Sequence, residues 1–301
     1  LSSKPLFGGR EISPRQRARK RTQRIMTNNA HSTRRVKLIV SDVDGTFLPK
    51  TRILPQRARD FVGELYRKGV TLALASSRPP AGMRHILEDA GLAALSAPYI
   101  AMNGAVVVAG GATLVSERLE PFVMNDIHNT VRDIELNAMI LDEDGWWSSG
   151  YDALVEREAA SLRQEPTLEG FAERLRFPAN KITLLGAPEA IAEARERLAA
   201  PQFQEKFVAS SPANPKFLDI TPHGAHKGTA IRRLAEFLGV ANDEICALGD
   251  GENDVEMFRV AALSIAMAHA SAEVRAAATH TADDSPEAWL EAVQRYVVSG
   301  A

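Results

Sequence analysis

Asp42-Val43-Asp44-Gly45-Thr46 is the segment whose residue types and spacing most plainly invite chemistry. It ends the apolar run Val36-Lys37-Leu38-Ile39-Val40-Ser41, which reads as a buried strand. Alternate side chains of a strand share a face, so the pattern places Asp42 and Asp44 together at the strand's C-terminal edge. Two carboxylates leaving a buried strand are costly unless a cation or a proton sits between them. Asp-Gly as a plain turn former accounts for Asp44-Gly45, but not for Asp42. A second acidic cluster, Gly249-Asp250-Gly251-Glu252-Asn253-Asp254, also follows an apolar strand. Asp250 and Asp254 lie four apart, which sets them on one side of a helical first turn starting near Gly251. Acids there also suit a helix N-terminus with no ligand at all. Two such clusters at strand ends favour a shell of hard oxygens around Mg²⁺, completed by waters and a phosphate oxygen.

Ser76-Ser77-Arg78 closes another apolar strand, where a hydroxyl and backbone N–H groups beside a helix start form a phosphate cradle. Ser before a helix is more often only a cap. Lys227 opens a helix after Gly224-Ala225-His226, and on spacing alone a lone Lys reads as solvated surface. His223 and His226 beside it leave room for a second metal site, although ordinary surface histidines are the commoner outcome. Trp146-Trp147 follow the turn Glu143-Asp144-Gly145 and either stack on a ring of a ligand or, more commonly, pack a core.

These residues need a framework, and the chain supplies strand and helix in alternation. Strands are expected near residues 36–42, 70–75 and 99–102, with helices from Pro55 to about Lys68 and from Pro80 to Ala90. That rhythm is an α/β, Rossmann-like parallel sheet with right-handed crossovers. A hairpin is expected over 105–116. From about 120 the texture changes to mixed strand and helix, with a helix near Met124–Leu136, strands near 138–141, 181–185, 207–210 and 217–220, and a helix over 188–199. No strand of this stretch ends in polar residues suited to a site, so it reads as an inserted α+β domain. The parallel pattern resumes with a helix over 227–238, a strand over 244–249, a helix over 252–260, a strand over 263–267, and helices over 271–278 and 286–297.

Composition bounds the remaining choices. The 301 residues are 45% hydrophobic and 25% charged, as in an ordinary globular protein. No run approaches the roughly 20 apolar residues of a membrane span. Cys246 is the one cysteine, so no internal disulfide forms and nothing calls for an oxidising compartment; a cytoplasmic location is expected. The net charge of −2 hides a division: residues 1–35 hold ten bases and one acid, the rest 26 bases against 37 acids. The basic stretch lacks apolar periodicity and is expected to be disordered. It suits a transit peptide, a tether to nucleic acid, or an extension upstream of a start at Met26.

Together the motifs resemble the haloacid dehalogenase superfamily, most closely its Cof-type sugar phosphatase branch. That branch carries Asp-x-Asp-Gly-Thr, Thr/Ser-Gly-Arg, Asn-Gly-Ala, Lys-Gly and Gly-Asp-Gly-x-Asn-Asp in this order. Here they stand as 42–46, 76–78, 103–105, Lys227-Gly228 and 249–254, from about Lys37 onward. Ser77 replaces the usual Gly, and His269 in Ala266-Met267-Ala268-His269-Ala270 replaces an Asn, the latter expected to be structural.

The resemblance implies a phosphatase acting on a small phosphorylated metabolite, with no membrane partner and nucleic acid only through the tail. Asp42 would be the nucleophile and Asp44 the acid/base. Mg²⁺ would be held by Asp42, the Asp44 carbonyl and Asp250, with Asp254 supporting. Phosphoryl oxygens would meet Ser76, Lys227, Asn253 and the backbone at Val43 and Ser77. It also implies a core over 36–118 and 223–301, with a large cap inserted over 119–222 that closes over the site. A phosphomutase, or a non-catalytic sensor of phosphorylated ligands, is the rival reading.

Overall fold

Side chains of opposite polarity on alternate strand positions, and helices with one apolar stripe, divide this chain into two sheets with helices laid over them. The computed structural model describes residues 35–49, 53–210 and 214–299. The expectations for the basic extension and for Met26 fall outside the described residues, Arg35 excepted. In chain order the first elements are β1 (Leu38–Asp42), α1 (Gln56–Arg67), β2 (Thr71–Ala75), α2 (Pro80–Asp89) and β3 (Tyr99–Ala101). The hairpin of β4 (Val106–Ala109) and β5 (Ala112–Ser116) follows. Next come α3 (Pro121–Val131), β6 (Leu136–Leu141), β7 (Trp146–Ser148), α4 (Ala153–Leu162), α5 (Phe171–Arg174), β8 (Lys181–Gly186), α6 (Pro188–Leu198), β9 (Phe207–Ser210) and β10 (Phe217–Pro222). The chain then forms α7 (Lys227–Leu238), β11 (Ile245–Gly249), α8 (Val255–Val260), β12 (Leu263–Ala266), α9 (Ala272–Ala277), β13 (His280–Thr281) and α10 (Ala288–Ala292).

The first sheet runs β13-β12-β11-β1-β2-β3-β4-β5, parallel from β13 to β3 and antiparallel at β4 and β5. Its central strands are buried on both faces. Ile39, Leu72, Leu74, Cys246 and Leu248 pack with residues of α1, α2 and α10. Leu38, Val40, Ala73, Ala75 and Ala247 pack with residues of α7, α8 and α9. That is the two-sided burial of a parallel α/β sheet. The second sheet, β7-β6-β8-β10-β9, is antiparallel throughout and forms the inserted α+β cap. One of its faces is covered by α3 and α6, through Ile140, Ile182, Leu184, Leu218 and Ile220. Among the described residues no helix is long and apolar enough to cross a membrane.

Among the departures from expectation, two have plain physical reasons. The helix expected to reach Leu136 stops at Val131, because Leu136 opens β6 and pairs with Gly186 in a six-residue ladder with β8. Helix α4 was not anticipated. Its signal is the Asp152 N-cap, which accepts from the N–H groups of Leu154 and Val155, followed by Val155, Ala159 and Leu162 buried at helical spacing.

At the C-terminal end, Trp289 ties α10 to β1. Its ring meets Phe47 edge-on at 5.0 Å and Phe61 at 6.4 Å, and its Nε1–H donates to Ser41 Oγ at 3.1 Å. Ser41 Oγ in turn donates to the Asp42 carbonyl at 2.8 Å, so this contact buttresses the strand end that carries Asp42. Trp289→Ala is expected to lower stability by about 3–5 kcal/mol, measured by urea denaturation. Trp289→Phe, which keeps most of the ring, should lose clearly less.

Candidate functional site

Adjacent parallel strands β11, β1, β2 and β3 all end at one edge of the first sheet. There they present Asp250, Asp42, Ser76 and Asn103, the edge at which open α/β sheets bind ligands. Asp42 is the last residue of β1. Lys227 begins α7, and its ammonium is wholly buried, donating at 2.6 Å to both Asp42 Oδ1 and Asp254 Oδ1. The other oxygen of Asp254 accepts from the N–H groups of Asp250 and Gly251, each at 2.9 Å. Asp250 accepts from Thr46 Oγ1 at 2.8 Å, and His269 Nε2 lies 3.1 Å from its second oxygen. Two glycines permit this closeness. A Cβ on Gly45, at φ +89°, would stand 2.6 Å from Asp250 Oδ2. A Cβ on Gly104, at φ +110°, would stand 2.5 Å from the His226 carbonyl.

The electrostatics follow from burial. Asp42 is pushed well up, first by loss of hydration and then by Asp254 and Asp250, against the pull of Lys227. Asp250 is raised by burial and by Asp254, with Thr46 and His269 opposing. Burial alone would lower Lys227, but Asp254 and Asp42 reverse that and hold it above its usual range. Three carboxylates thus face one ammonium. Oxygens of Asp42, Asp250 and Asp254 lie within 4.8 Å of one another, the one group of metal-ligating side chains found among the described residues. An all-oxygen, net-negative donor set fits a hard divalent cation.

Several expected residues fall differently from their sequence reading. Asp44 does not share β1 with Asp42; the strand ends at Asp42, and Asp44 lies in the following turn. Its carboxylate is not free but is gripped by Arg78 through Nε at 2.8 Å and Nη2 at 3.0 Å. Asp254 closes a short 3₁₀ turn ahead of α8 and is not part of that helix's first turn. Asn253 Nδ2 donates to Asn103 Oδ1 at 3.1 Å. Ser76 is buried and Ser77 half-buried, and both line the pocket; the Val43 side chain is buried. His226 is the N-cap of α7, its Nδ1 accepting from Thr229 N–H at 3.3 Å, and burial holds its imidazole below the usual range. His223 is exposed, and the two form no metal group. His269, expected to be structural, contacts Asp250. Trp146 is buried and donates to the Gln164 carbonyl at 3.2 Å, while Trp147 lies under the Arg174 guanidinium at 4.6 Å.

The cap contributes more than its sequence suggested. Along β6, β8 and β10 the face away from α3 and α6 carries Met139, Leu141, Lys181, Thr183, Phe217 and Asp219, all lining a cavity of about 530 Å³ with Asp42, Asp44 and Asp250. The polar members sit within strands, not at their ends, which is why a search for polar strand ends passed over them. Lys181 Nζ donates to Asp219 Oδ1 at 2.9 Å and, across to the first sheet, to the Ser77 carbonyl at 2.8 Å. Thr183 Oγ1 donates to the same Asp219 oxygen at 2.7 Å, and Asn103 Nδ2 reaches the other at 3.1 Å. From α4, Ser161 Oγ accepts from Arg78 Nη1 at 2.7 Å.

Comparison with known proteins agrees with this geometry. The sequence profile of haloacid dehalogenase-like hydrolases matches residues 39–288. An HMP-PP phosphatase of Cronobacter sakazakii is 29% identical over 248 residues, covering 79% of this chain and 86% of that protein. An HMP-PP phosphatase of an Enterobacter species is 25% identical over 252 residues, covering 81% and 88%. A haloacid dehalogenase-like hydrolase from Bacteroides thetaiotaomicron superposes with a TM-score of 0.78 at 24% identity, covering 87% of this chain and 99% of that one. A sugar phosphatase of haloacid dehalogenase subclass IIB superposes with a TM-score of 0.77 at 22% identity, covering 87% and 99%. The chain belongs to the haloacid dehalogenase-like hydrolases, in their Cof-type branch, and is a phosphatase.

Lys181 and Asp219 are 5% and 3% exposed, so removing one leaves the other charge stranded. Lys181→Met is expected to cost about 3–5 kcal/mol in denaturation. Lys181→Met/Asp219→Asn, which removes both charges, should recover more than half of that loss.

Proposed function

We propose that this phosphatase hydrolyses phosphomonoesters of small metabolites with Mg²⁺, through a phosphorylated Asp42. The observation that carries the reading is the buried Asp42–Lys227–Asp254 cluster with Asp250 beside it, an excess of carboxylates lining the pocket between the two sheets. The ion would be held by Asp42, Asp250 and the Asp44 carbonyl, with Asp254 supporting from behind. Once bound, Mg²⁺ supplies positive charge against the phosphoryl oxygens and screens Asp42 from an anionic substrate.

In this scheme an Asp42 carboxylate oxygen attacks phosphorus, and the bond from phosphorus to the leaving oxygen breaks. Asp44 gives its proton to that oxygen, then takes one from the water that attacks the aspartyl-phosphate. Phosphate leaves and both carboxyl groups return to their starting states. Lys227, Ser76, Asn253 and the backbone at Val43 and Ser77 hold the phosphoryl oxygens. The Arg78 fork fixes the direction of Asp44. We set the cap at about 119–222 and assign it the roles of excluding water and reading the leaving group. A cytoplasmic location completes the proposal: Cys246 is buried, burial pushes its thiol upward, and the fold needs no disulfide.

The first test is phosphate release from a panel of sugar phosphates, other small phosphomonoesters and HMP-PP, the compound in the relatives' names. Release by the wild type and none by Asp42→Asn is expected; equal rates would overturn the nucleophile. Asp44→Asn should bind substrate but lose about 10²–10⁴-fold in kcat. Chelation with EDTA should abolish turnover and added Mg²⁺ restore it, whereas indifference to chelator would remove the metal from the scheme.

A further inference from the structure

The pocket's charged lining is almost fully engaged within the protein. Lys181 is taken by Asp219 and the Ser77 carbonyl, Asp219 by Lys181, Thr183 and Asn103, and Arg78 by Asp44 and Ser161. Two charged residues of α4 stand apart from this, the exposed Arg157 and, beside it, Glu158. Glu158 lines the same pocket and is half-buried, yet no hydrogen-bond donor or ion-pair partner reaches its carboxylate among the described residues. Helical geometry explains its aim. Glu158, Ser161 and Leu162 are spaced three and four apart on the stripe of α4 that faces the cavity. Val155, Ala159 and Leu162 anchor that helix in the core. Burial pushes the Glu158 carboxyl upward, Lys181 and Arg78 pull it down, and Asp219 adds to the rise. A carboxylate drawn partly out of water without a donor is a cost to the fold, which a ligand bearing a donor removes.

We propose that Glu158 is a specificity-determining residue that accepts a hydrogen bond from a hydroxyl or amino group on the leaving group. The substrate class is then a phosphomonoester whose alcohol carries at least one such donor, placed beside an apolar surface. That surface is supplied by Met139, Leu141, Leu162 and Phe217, which line the same cavity. This deepens the phosphatase reading and rests on it.

The test separates binding from turnover. The Asp42→Asn protein, in Mg²⁺, is titrated calorimetrically with glucose 6-phosphate, 2-aminoethyl phosphate and cyclohexyl phosphate, the last having no donor on its alcohol. The parent is expected to favour at least one of the donor-bearing phosphates. Adding Glu158→Ala should weaken the favoured one about 10- to 100-fold and shift cyclohexyl phosphate by less than about twofold. Glu158→Gln, which keeps an acceptor without the charge, should lose less. Thermal midpoints should equal or exceed the parent's, since no internal hydrogen bond is removed; a marked fall would mean a structural role and overturn the proposal. Equal weakening of all three phosphates, no weakening at all, or no preference in the parent would overturn it as well. Turnover of p-nitrophenyl phosphate by the chain with Asp42 intact is measured separately. Its absence counts against the hydrolytic scheme and leaves the binding comparison standing.

Discussion

A single ammonium group, that of Lys227, lets this site exist. The fold brings three carboxylates within 4.8 Å of one another in a largely buried environment, and left alone they would repel and take up protons. Lys227 bridges Asp42 and Asp254 at 2.6 Å to each, across 185 and 27 residues of sequence. Several features of the local backbone serve that contact. His226 caps α7 so that the helix begins at the residue that must enter the cluster. Gly104 leaves room for the backbone of His226 and Lys227 to pass against the end of β3.

The remaining negative charge is distributed unequally. Both oxygens of Asp254 are occupied, one by Lys227 and the other by two backbone N–H groups, so its charge is spent holding the loop after β11. Asp250 is steered by Thr46 and His269. Asp42 keeps one oxygen free of Lys227. On the proposed function, Asp254 is then the structural end of the cluster and Asp42 the reactive one. The Asp44 carboxylate is paired with Arg78, whose charge Asp42 also feels.

How much of this could be read from residues alone depends on where each sits in its element. Strand-end acids stand out because a buried parallel strand has no ordinary use for them, so Asp42 and Asp250 were visible from pattern and the α/β order of the core with them. Lys227 was not: a lysine in a first helical turn has the same local pattern whether it faces solvent or a buried cluster, and only the family resemblance singled it out. The cap's contribution was hidden for a related reason. Lys181-Ile182-Thr183-Leu184 and Leu218-Asp219-Ile220-Thr221 alternate polar and apolar residues, as does any antiparallel sheet with one face in water. Sequence periodicity reports that a second face exists, but not whether water or the rest of the protein meets it. Helix α4 escaped because its start depends on one Asp side chain capping two N–H groups, a signal spread over only four residues.

The contacts between cap and core fall on the residues that the chemistry needs. Lys181 reaches the Ser77 carbonyl, Asp219 accepts from Asn103, Asn103 accepts from Asn253, and Ser161 accepts from the same guanidinium that grips Asp44. A cap that met the core elsewhere could shift without touching these residues, whereas here a shift breaks the contacts to Ser77, Asn103 and Arg78. Because interiors are packed to discrete arrangements rather than compliant ones, a displacement at β8 or β10 is transmitted to Ser77 and Asn253 rather than absorbed. On the proposed function, the part of the protein that recognises a leaving group is thereby also the part that completes the phosphate-binding end. Alignment of the phosphoryl group and recognition of what departs from it are, on this architecture, a single structural event.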